Sequence, residues 1–472
     1  MITFALICAL AQSPAMFTEV TVYNQGFGFV KEIRDLNLIA GLQKVAISDL
    51  PSQIDATSVG FKSLSDPGSF ELLEQNYEYD LISKIAILNK SVGKRIRIVR
   101  TIGNQRDILE GILISSPTAV TPGPDGGSGA TYNGMVIRTD DGRVVLDPEG
   151  EVSVEQTPDG LISTPTLIWD LNAAKAGPNS VELSYITQGM NWSTDYVLTL
   201  NGLEDHADLQ GWVTLTNNSG ATYKDARLKL LAGDTNQVEA PRAAFRSVLQ
   251  EGAFGGAAAP FQQQNLFEYH LYALQRPATI ANNEVKQLSL LSATGFVVTK
   301  KIVFDPLSGL TTYYPDVNGV GLGNMHPSVR VEFVNSEANH LGIPLPKGRF
   351  RIYERDNTGS VQMLGEDTID HTPKDEHVSL LVGKSFDIVG NRIRTDFTQV
   401  ATNYTRETFK DEIRNRKDVS QTVSVLERHF GDWKVTNTTD PWTKIDSNTM
   451  EFDENLKPGE VKDIVYTVET QW

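Results

Sequence analysis

Short stretches in which apolar and polar residues alternate recur along almost the whole chain of 472 residues. The last of them places Ile464, Tyr466 and Val468 on one side of a strand, with Val465, Thr467 and Glu469 on the other. Gly, Pro, Asn and Asp separate these stretches. Such alternation with a period of two is typical of antiparallel strands with one face in a core and the other in water. Because the chain is too long for a single core, several domains are expected.

The predicted fold class is therefore mostly β and multidomain, with immunoglobulin-like β-sandwich domains and one small SH3-like or Sm-like barrel. The predicted boundaries are a signal peptide at 1–11, an N-terminal β domain at 17–79, the small barrel at 80–156, a β-sandwich at 165–236, an Ala/Gly/Gln-rich linker or loop at 237–264 and a C-terminal β-sandwich region at 265–472.

The small barrel is predicted from one helix followed by five short strands. Asp80 is the predicted N-cap, and Leu81, Ile85 and Leu88 fall on one helical face. Gly111 lies inside an apolar run, where glycine often permits a sharp bend of a strand. The five strand candidates are Arg95–Arg100, Asp107–Ser115, Tyr132–Thr139, Arg143–Asp147 and Glu151–Gln156.

The N-terminus predicts export to the periplasm, the cell envelope or the medium. Ile2 to Leu10 is apolar but too short to span a bilayer as a helix, and an A-x-A pattern at Ala9 to Ala11 suits cleavage before Gln12. No basic residue precedes the apolar run, and the alternative is a buried N-terminal strand. The single cysteine, Cys8, lies within this segment, so the mature chain would have no disulfide and no thiolate ligand. No later segment is apolar for long enough to predict a transmembrane helix.

The formal net charge of -17 disfavours binding to nucleic acid or to anionic lipid. A divalent cation is the ligand class that such a charge favours. The simpler interpretation is that the charge serves solubility.

No complete catalytic motif occurs: G-x-S-x-G, H-E-x-x-H, Walker A and dinucleotide-binding patterns are all absent. No catalytic residue and no resident cofactor are predicted. The densest polar cluster supplies four candidate ligands for zinc or manganese: Asp367, Asp370, His371 and His377. The alternative is a polar loop between two strands, in which such side chains satisfy backbone donors.

Three aromatic or imidazole side chains are candidate binding residues. His270 and Tyr272 alternate onto one face of a strand, which would let them stack on a sugar or grip a partner strand if that face is wet. The alternative is burial within a sandwich. Trp442 follows a proline in a turn-like stretch and is the tryptophan expected nearest to solvent.

Five stretches together resemble the bacterial family called domain of unknown function 4139, which is related to the mucoidy inhibitor A type proteins. The chain lacks the long coiled coil and the N-terminal domain of that type. The resemblance covers about 17 to the end and implies exported β-rich proteins without an established reaction, so it brings no catalytic residues. The stretches are Gly189–Tyr196, Gly211–Gly220 with Leu230–Asp234, Phe267–Tyr272, Leu345–Gly348 and Gly365–Pro373.

Two functional hypotheses follow. The first is a non-enzymatic binding or scaffold protein of the cell envelope that recognises another protein or a polysaccharide. The second is a metal-dependent hydrolase centred on Asp370 and His371. Fold class alone cannot decide between them, because unrelated functions share β-sandwiches.

The export prediction is tested by intact-mass measurement of the protein recovered from the periplasm or the medium. We expect a mature N-terminus at Gln12, either free or cyclised, because the A-x-A site precedes it. Recovery of the chain with Met1 still attached, and only from the cytoplasm, would contradict export.

Overall fold

A computed structural model describes residues 8–10, 14–102, 105–115, 117–122, 128–132, 134–233, 235, 261–316, 323–356 and 358–472. These residues are almost entirely β, with a single α-helix and one short 3-10 helix among them. The predicted fold class is confirmed, with several separate sheets. Among the described residues, no helix has the length and apolar character needed to cross a membrane.

The helix α1 is Lys84–Lys90. The strands that precede residue 190 are β1 Cys8–Leu10, β2 Phe17–Tyr23, β3 Phe27–Leu38, β4 Gly41–Ile47, β5 Ile54–Ser63, β6 Phe70–Glu78, β7 Arg95–Ile102, β8 Gln105–Leu113, β9 Thr118–Pro122, β10 Ser128–Tyr132, β11 Val136–Thr139, β12 Val144–Leu146, β13 Glu151–Val154, β14 Thr166–Ala173 and β15 Gly177–Gln188.

The 3-10 helix is Glu337–Asn339. The later strands are β16 Met190–Leu200, β17 His206–Asn217, β18 Tyr223–Ala232, β19 Phe261–Leu266, β20 Tyr269–Leu274, β21 Ala278–Ile280, β22 Glu284–Val297, β23 Thr299–Phe304, β24 Gly323–Met325, β25 Ser328–Val334, β26 Gly348–Arg355, β27 Val361–Ile369, β28 His377–Lys384, β29 Ile388–Ala401, β30 Tyr404–Asn415, β31 Gln421–Arg428, β32 Asp432–Thr438, β33 Thr443–Lys444, β34 Thr449–Leu456 and β35 Val461–Gln471.

The chain divides into two compact units. The first takes its described residues from Met1–Trp192, Leu215–Gly255 and Leu271–Lys286, and the second from Ser193–Thr214, Gly256–His270 and Gln287–Trp472. In the first unit, one sheet has the order β1-β4-β14-β6, and a larger sheet contains β18-β2-β3-β15-β5, with β21 beside β18.

The blocks predicted at 17–79 and 165–236 are not separate sheets. Strand β15 pairs with β3 along its whole length, β14 pairs with β4 and β6, and β18 runs parallel to β2. Strand β16 instead pairs with β26 of the second unit. Alternation in the sequence predicts where strands lie, but the choice of partner strand depends on packing between distant segments. The two predicted blocks therefore do not correspond to separate sheets.

The predicted helix and five strands of the small domain are all present, in the order β12-β11-β8-β7-β13. No closed barrel is found in the described part of the chain, because no pairing joins β12 to β13. The helix begins after Ser83, whose hydroxyl accepts a bond from the Ala86 N–H at 3.0 Å, so Asp80 is not the N-cap. The apolar side chains of Ile98, Leu113 and Ile137 meet beneath Leu88 in its core.

Residues 237–260 of the predicted linker lie outside the described residues. The rest of that segment, 261–264, belongs to strand β19 and is not a linker. In the predicted signal peptide, only Cys8–Leu10 is described, as strand β1 parallel to β4. Cleavage and export stay predictions.

The second unit contains three sheets, in the orders β22-β17-β16-β26-β27, β28-β25-β23-β31-β34-β33 and β24-β29-β30-β35-β32. The last two enclose a common apolar core. Ile464, Tyr466 and Val468 of β35 are each at most 1% exposed in that core, which confirms their predicted face. Strand β35 lies between β30 and β32, so it is not an edge.

Two fully buried asparagines end long strands in the same way. The side-chain amide of Asn217 donates to the Ala221 carbonyl, and that of Asn415 donates to the Val419 carbonyl, both at 2.9 Å. The amide oxygen of each accepts the N–H two residues later. The chain can therefore turn within a core without leaving buried backbone groups unsatisfied.

Replacing Gly111 of β8 by valine is expected to destabilise the small domain by about 1–3 kcal/mol. A Cβ atom at this position would lie 2.5 Å from the Arg138 carbonyl oxygen of the neighbouring strand β11. The cause is this close approach of two strands rather than an unusual backbone angle. Urea denaturation followed by circular dichroism would measure the change.

Gly383 is a matched control, because it also lies in a strand and has no atom within 4 Å of an added Cβ. We expect Gly383→Val to change stability by much less than Gly111→Val. Equal effects of the two substitutions would show that the packing of β8 against β11 is not tight.

Candidate functional site

The predicted metal ligands lie around the connection between β27 and β28. Both carboxylate oxygens of Asp367 accept backbone N–H groups, from Thr368 at 2.8 Å and from Leu381 at 2.6 Å. Asp370 is almost fully exposed and lies 3.1 Å from the Lys347 ammonium. The Asp367 carboxylate therefore stabilises the loop, and the Asp370 carboxylate forms an ion pair at the surface.

The two histidines of this loop differ in their surroundings. Nδ1 of His371 accepts the Lys347 N–H at 3.1 Å, whereas His377 is exposed at the start of β28. Within the ranges that the structure describes, no three His, Cys, Asp or Glu side chains are placed to hold a metal ion. The four predicted ligands are thus not brought together, and their contacts are those expected of the polar-loop alternative.

The second predicted site, on β20, is largely buried. Tyr272 is only 1% exposed, and its ring packs edge-on against Trp192 with centroids 6.4 Å apart. The expectation that Tyr272 lies on a wet face is therefore wrong. His270 is half-buried, its Nδ1 lies 2.9 Å from Gln263 Nε2, and burial lowers its pKa.

Trp442, the third predicted binding residue, is partly buried. Its ring lies 5.7 Å from that of Trp433 and packs against the core of the last sandwich. Trp472 is more exposed, at 45%, so the expectation that Trp442 is the tryptophan nearest to solvent is wrong.

A cluster of three aromatic side chains, which the sequence did not single out, lies at the surface of the same sandwich. We call Tyr314, Phe430 and Trp472 the aromatic surface. The ring centroids of Tyr314 and Phe430 are 4.1 Å apart, and those of Phe430 and Trp472 are 6.1 Å apart. Tyr314 is 62% exposed and Trp472 is 45% exposed. Exposed aromatic groups that adjoin one another are a common mark of a binding surface.

Tyr314 is held outward by its neighbours in the chain. The Thr312 hydroxyl donates to the His429 carbonyl at 2.9 Å, and the Tyr313 hydroxyl donates to Glu407 at 3.1 Å. The Tyr313 ring packs edge-on against Phe409 in the core. Because Tyr313 points inward, Tyr314 points outward.

The other two members of the aromatic surface are placed by a tight turn. Gly431 has a φ of +66°, and a Cβ atom there would lie 2.4 Å from the Gln471 carbonyl oxygen. Only glycine therefore lets the turn after Phe430 approach the end of β35, which carries Trp472. Asn403, Asp432 and Gln471 are exposed beside it: the Trp472 N–H donates to the Asn403 carbonyl at 3.0 Å, and Asp432 is the register partner of Gln471.

A buried polar network lies within the sandwich that carries the aromatic surface. Nε of Arg392 donates to both carboxylate oxygens of Glu427, at 2.8 and 2.9 Å, and the Tyr466 hydroxyl donates to Glu427 at 2.8 Å. The guanidinium also lies 3.9 Å from the centre of the Phe409 ring. Arg392 and Glu427 are at most 2% exposed. Nε of Arg392 and both Glu427 oxygens are therefore hydrogen-bonded, whereas the buried Nη2 of Arg392 has no hydrogen-bond partner among the described residues.

Two further titratable groups in this network have pKa values that are shifted toward the neutral form. Burial, together with the negative charge of Glu427, raises the pKa of Asp411 well above its usual range. Burial, with the charge of Arg392, lowers the pKa of His429 to about 3. Besides the Arg392–Glu427 pair, the interior holds a second ion pair, Arg394–Glu407, at 2.9 Å.

No family model matches the chain, and no curated protein matches it. The resemblance to the domain of unknown function 4139 family stays a prediction.

The sequence did hold a signal for the aromatic surface. Tyr313 and Tyr314 are adjacent, as are His429 and Phe430, so alternation places one member of each pair outside. Residues 311–314 form an irregular segment in the structure. Only the fold brings Trp472 beside Phe430.

Asp411→Asn is expected to raise the free energy of unfolding at neutral pH by about 1 kcal/mol or more. Asp411 has its ordinary pKa in the unfolded chain and a raised pKa in the folded one. The protonated Asp411 side chain therefore contributes fully to stability below about pH 4. This contribution is lost as the pH rises toward the pKa of Asp411 in the folded state. Asparagine keeps the shape of the neutral acid and has no such proton to lose.

Urea denaturation between pH 4.5 and pH 8 would measure this effect, and the variant should lose stability less steeply as the pH rises. Asp463→Asn is the matched control, because Asp463 is half-exposed on the neighbouring strand and pairs with Lys410 at the surface. We expect a change within about 1 kcal/mol for the control. If Asp411→Asn were destabilising at pH 8, the pKa of Asp411 would not be raised in the native state.

Proposed function

We propose that this protein is an exported, non-enzymatic binding protein of the cell envelope that recognises a polysaccharide through the aromatic surface. The observation that carries the proposal is the group of adjoining rings of Tyr314, Phe430 and Trp472, of which Tyr314 and Trp472 are exposed and Phe430 is half-buried between them. Export rests on the predicted signal peptide, and membership of the domain of unknown function 4139 family is part of the same proposal.

The chemistry of the aromatic surface suits a sugar. A pyranose ring has an apolar C–H face that packs on an aromatic ring, while its hydroxyl groups require hydrogen-bond partners. Asn403, Asp432 and Gln471 are exposed beside the rings and carry amide and carboxylate groups. This combination of apolar platform and polar rim is typical of ligand sites that fix the orientation of a bound molecule.

The surface is also rigid enough to select a ligand. The segments that carry Tyr314 and Phe430 are joined by the bond from Thr312 to the His429 carbonyl. The rings of Tyr314 and Phe430 are each preceded by an inward residue that packs against the core, Tyr313 or His429. Pre-organised rings lose little freedom when a ligand binds, which favours affinity.

We expect the variant Tyr314→Ala/Phe430→Ala/Trp472→Ala to bind its polysaccharide at least about tenfold more weakly, a loss of about 1.4 kcal/mol or more. Affinity electrophoresis in gels that contain dextran, laminarin, xylan or galactomannan would find the ligand, and sedimentation with purified peptidoglycan would test an insoluble one. Titration calorimetry would then compare the variants.

Phe386→Ala is the matched control, because Phe386 is 88% exposed in the same unit but is not part of the aromatic surface. It should bind like the unmodified protein. Binding that survives in the triple variant, or an unmodified protein that binds none of these polysaccharides, would reject the proposal.

A further inference from the structure

Strand β6 of the first unit is the edge of its sheet. It pairs with β14 on one side only, and among the described residues no other strand is bonded to its outer side. An edge strand offers unpaired backbone N–H and C=O groups along its length, so it can receive a further strand from another chain.

The two faces of β6 have opposite character. Leu72 and Tyr77 lie opposite Leu171 and Leu167 of β14, which are fully buried, so they border the core. Because directly opposed residues share a face, the residues between them point away from the core. These outward residues are Glu71, Glu74, Asn76 and Glu78, and each is exposed.

A β-bulge brings the carboxylates into one row. The register shifts between Asp170 and Leu171 of β14, so that Leu73 of β6 is an extra residue without a partner. Without this extra residue, Glu71 and Glu74 would point to opposite faces. With it, three glutamates line roughly 20 Å of the outward face of the edge strand.

These glutamates are available to a partner. Glu71, Glu74 and Glu78 form no ion pair with any other residue in the described ranges. The nearby Asp170 is already paired with Lys44 at 3.1 Å. At the end of the strand, Tyr79 is 72% exposed and stacks on Tyr77 with ring centroids 5.8 Å apart. An exposed tyrosine face adds a site for a cation.

The same row excludes a second copy of this chain. Two β6 strands side by side would place glutamates opposite glutamates, which is destabilising. The bulge also spoils the match between two identical edges. A partner strand with basic residues on one face would instead place these residues beside the glutamates of β6, where the charges attract.

The geometry points to β6 as a docking edge for an extended segment of another protein in which basic and apolar residues alternate. The basic side chains would lie beside Glu71, Glu74 and Glu78, and the apolar ones would extend the core beyond Leu72 and Tyr77. Backbone hydrogen bonds along β6 would hold the segment, and the charge pattern would choose it. This interaction is independent of the aromatic surface.

Fluorescence anisotropy with a labelled peptide of four Lys-Val repeats tests the proposal on the whole protein. We expect saturable binding that is at least tenfold tighter than for a Glu-Val peptide and for a block peptide of four lysines followed by four valines. A Lys-Val peptide that is N-methylated at two adjacent central residues should also bind at least tenfold more weakly. Adjacent N–H groups of a strand point to opposite edges, so each edge of the methylated peptide has lost one hydrogen-bond donor.

The variant Glu71→Lys/Glu74→Lys/Glu78→Lys should lose Lys-Val binding and gain Glu-Val binding. The control Glu149→Lys/Glu151→Lys/Glu155→Lys makes the same change of charge at three exposed glutamates away from β6 and should bind Lys-Val peptide normally. Should the β6 triple variant fail to fold by circular dichroism, Glu74→Gln, which should weaken binding severalfold, replaces it.

Three outcomes would overturn the proposal. They are equal binding of the alternating and block peptides, no effect of N-methylation, and equal loss of binding in both triple variants. Each would mean that the peptide responds to overall negative charge rather than to a strand edge.

Discussion

A buried arginine–glutamate pair that also receives a tyrosine hydroxyl lies in each of the two units. In the first, Arg34 donates to Glu32 at 2.6 and 2.9 Å, and the Tyr185 hydroxyl donates to Glu32 at 3.2 Å. In the second, Arg392, Glu427 and Tyr466 make the corresponding contacts. Removing one partner of such a pair typically costs about 3–5 kcal/mol, because an uncompensated charge stays buried.

We interpret the bond from Tyr185 to Glu32 as a device that selects the register of β15 on β3, because Arg34 lies on β3 itself and meets Glu32 in any register. Apolar alternation alone is satisfied by several pairings that differ by two residues, and a slip of one residue turns every side chain to the other face. A glutamate within a core can be satisfied only where its arginine and tyrosine meet it. In the first unit, Glu32 on β3 and Tyr185 on β15 are brought together by the long pairing of these two strands. The competing interpretation, that the pairs mainly add stability, is the weaker one, since desolvation offsets much of their attraction.

The aromatic surface also depends on residues that are fixed around a buried ion pair. Tyr313 and His429 occupy the interior around the Arg392–Glu427 pair, and each turns the following residue outward. Burial disfavours the charged forms of Asp411 and His429 in this interior, since it raises the pKa of the first and lowers that of the second. The inward residues Tyr313 and His429 therefore set the positions of the surface rings of Tyr314 and Phe430.

Much of the fold was predictable, because strand faces are a local property. Alternation placed Ile464, Tyr466 and Val468 in a core, and an isolated glycine in an apolar run marked Gly111 as a special position, although the predicted cause was a bend and the structure shows a close strand approach. The candidate site was less accessible. The polar residues from Asp367 to His377 suggested ligands, yet their oxygens and nitrogens are used by the loop itself. Tyr272 was open to two interpretations, since a strand buried on both sides alternates like one with a wet face.

The sequence by itself determined the secondary structure class, the number of cores to be expected and the acidic surface, since each depends on composition or on neighbours within a few residues. The tertiary structure decided which strands are partners, which edge stays open and which aromatic rings meet. Strand β15 finds β3 about 150 positions earlier in the chain, and Trp472 reaches Phe430 only because both strands belong to one sandwich. Such contacts depend on the simultaneous packing of distant segments, and no periodicity within a single segment records them.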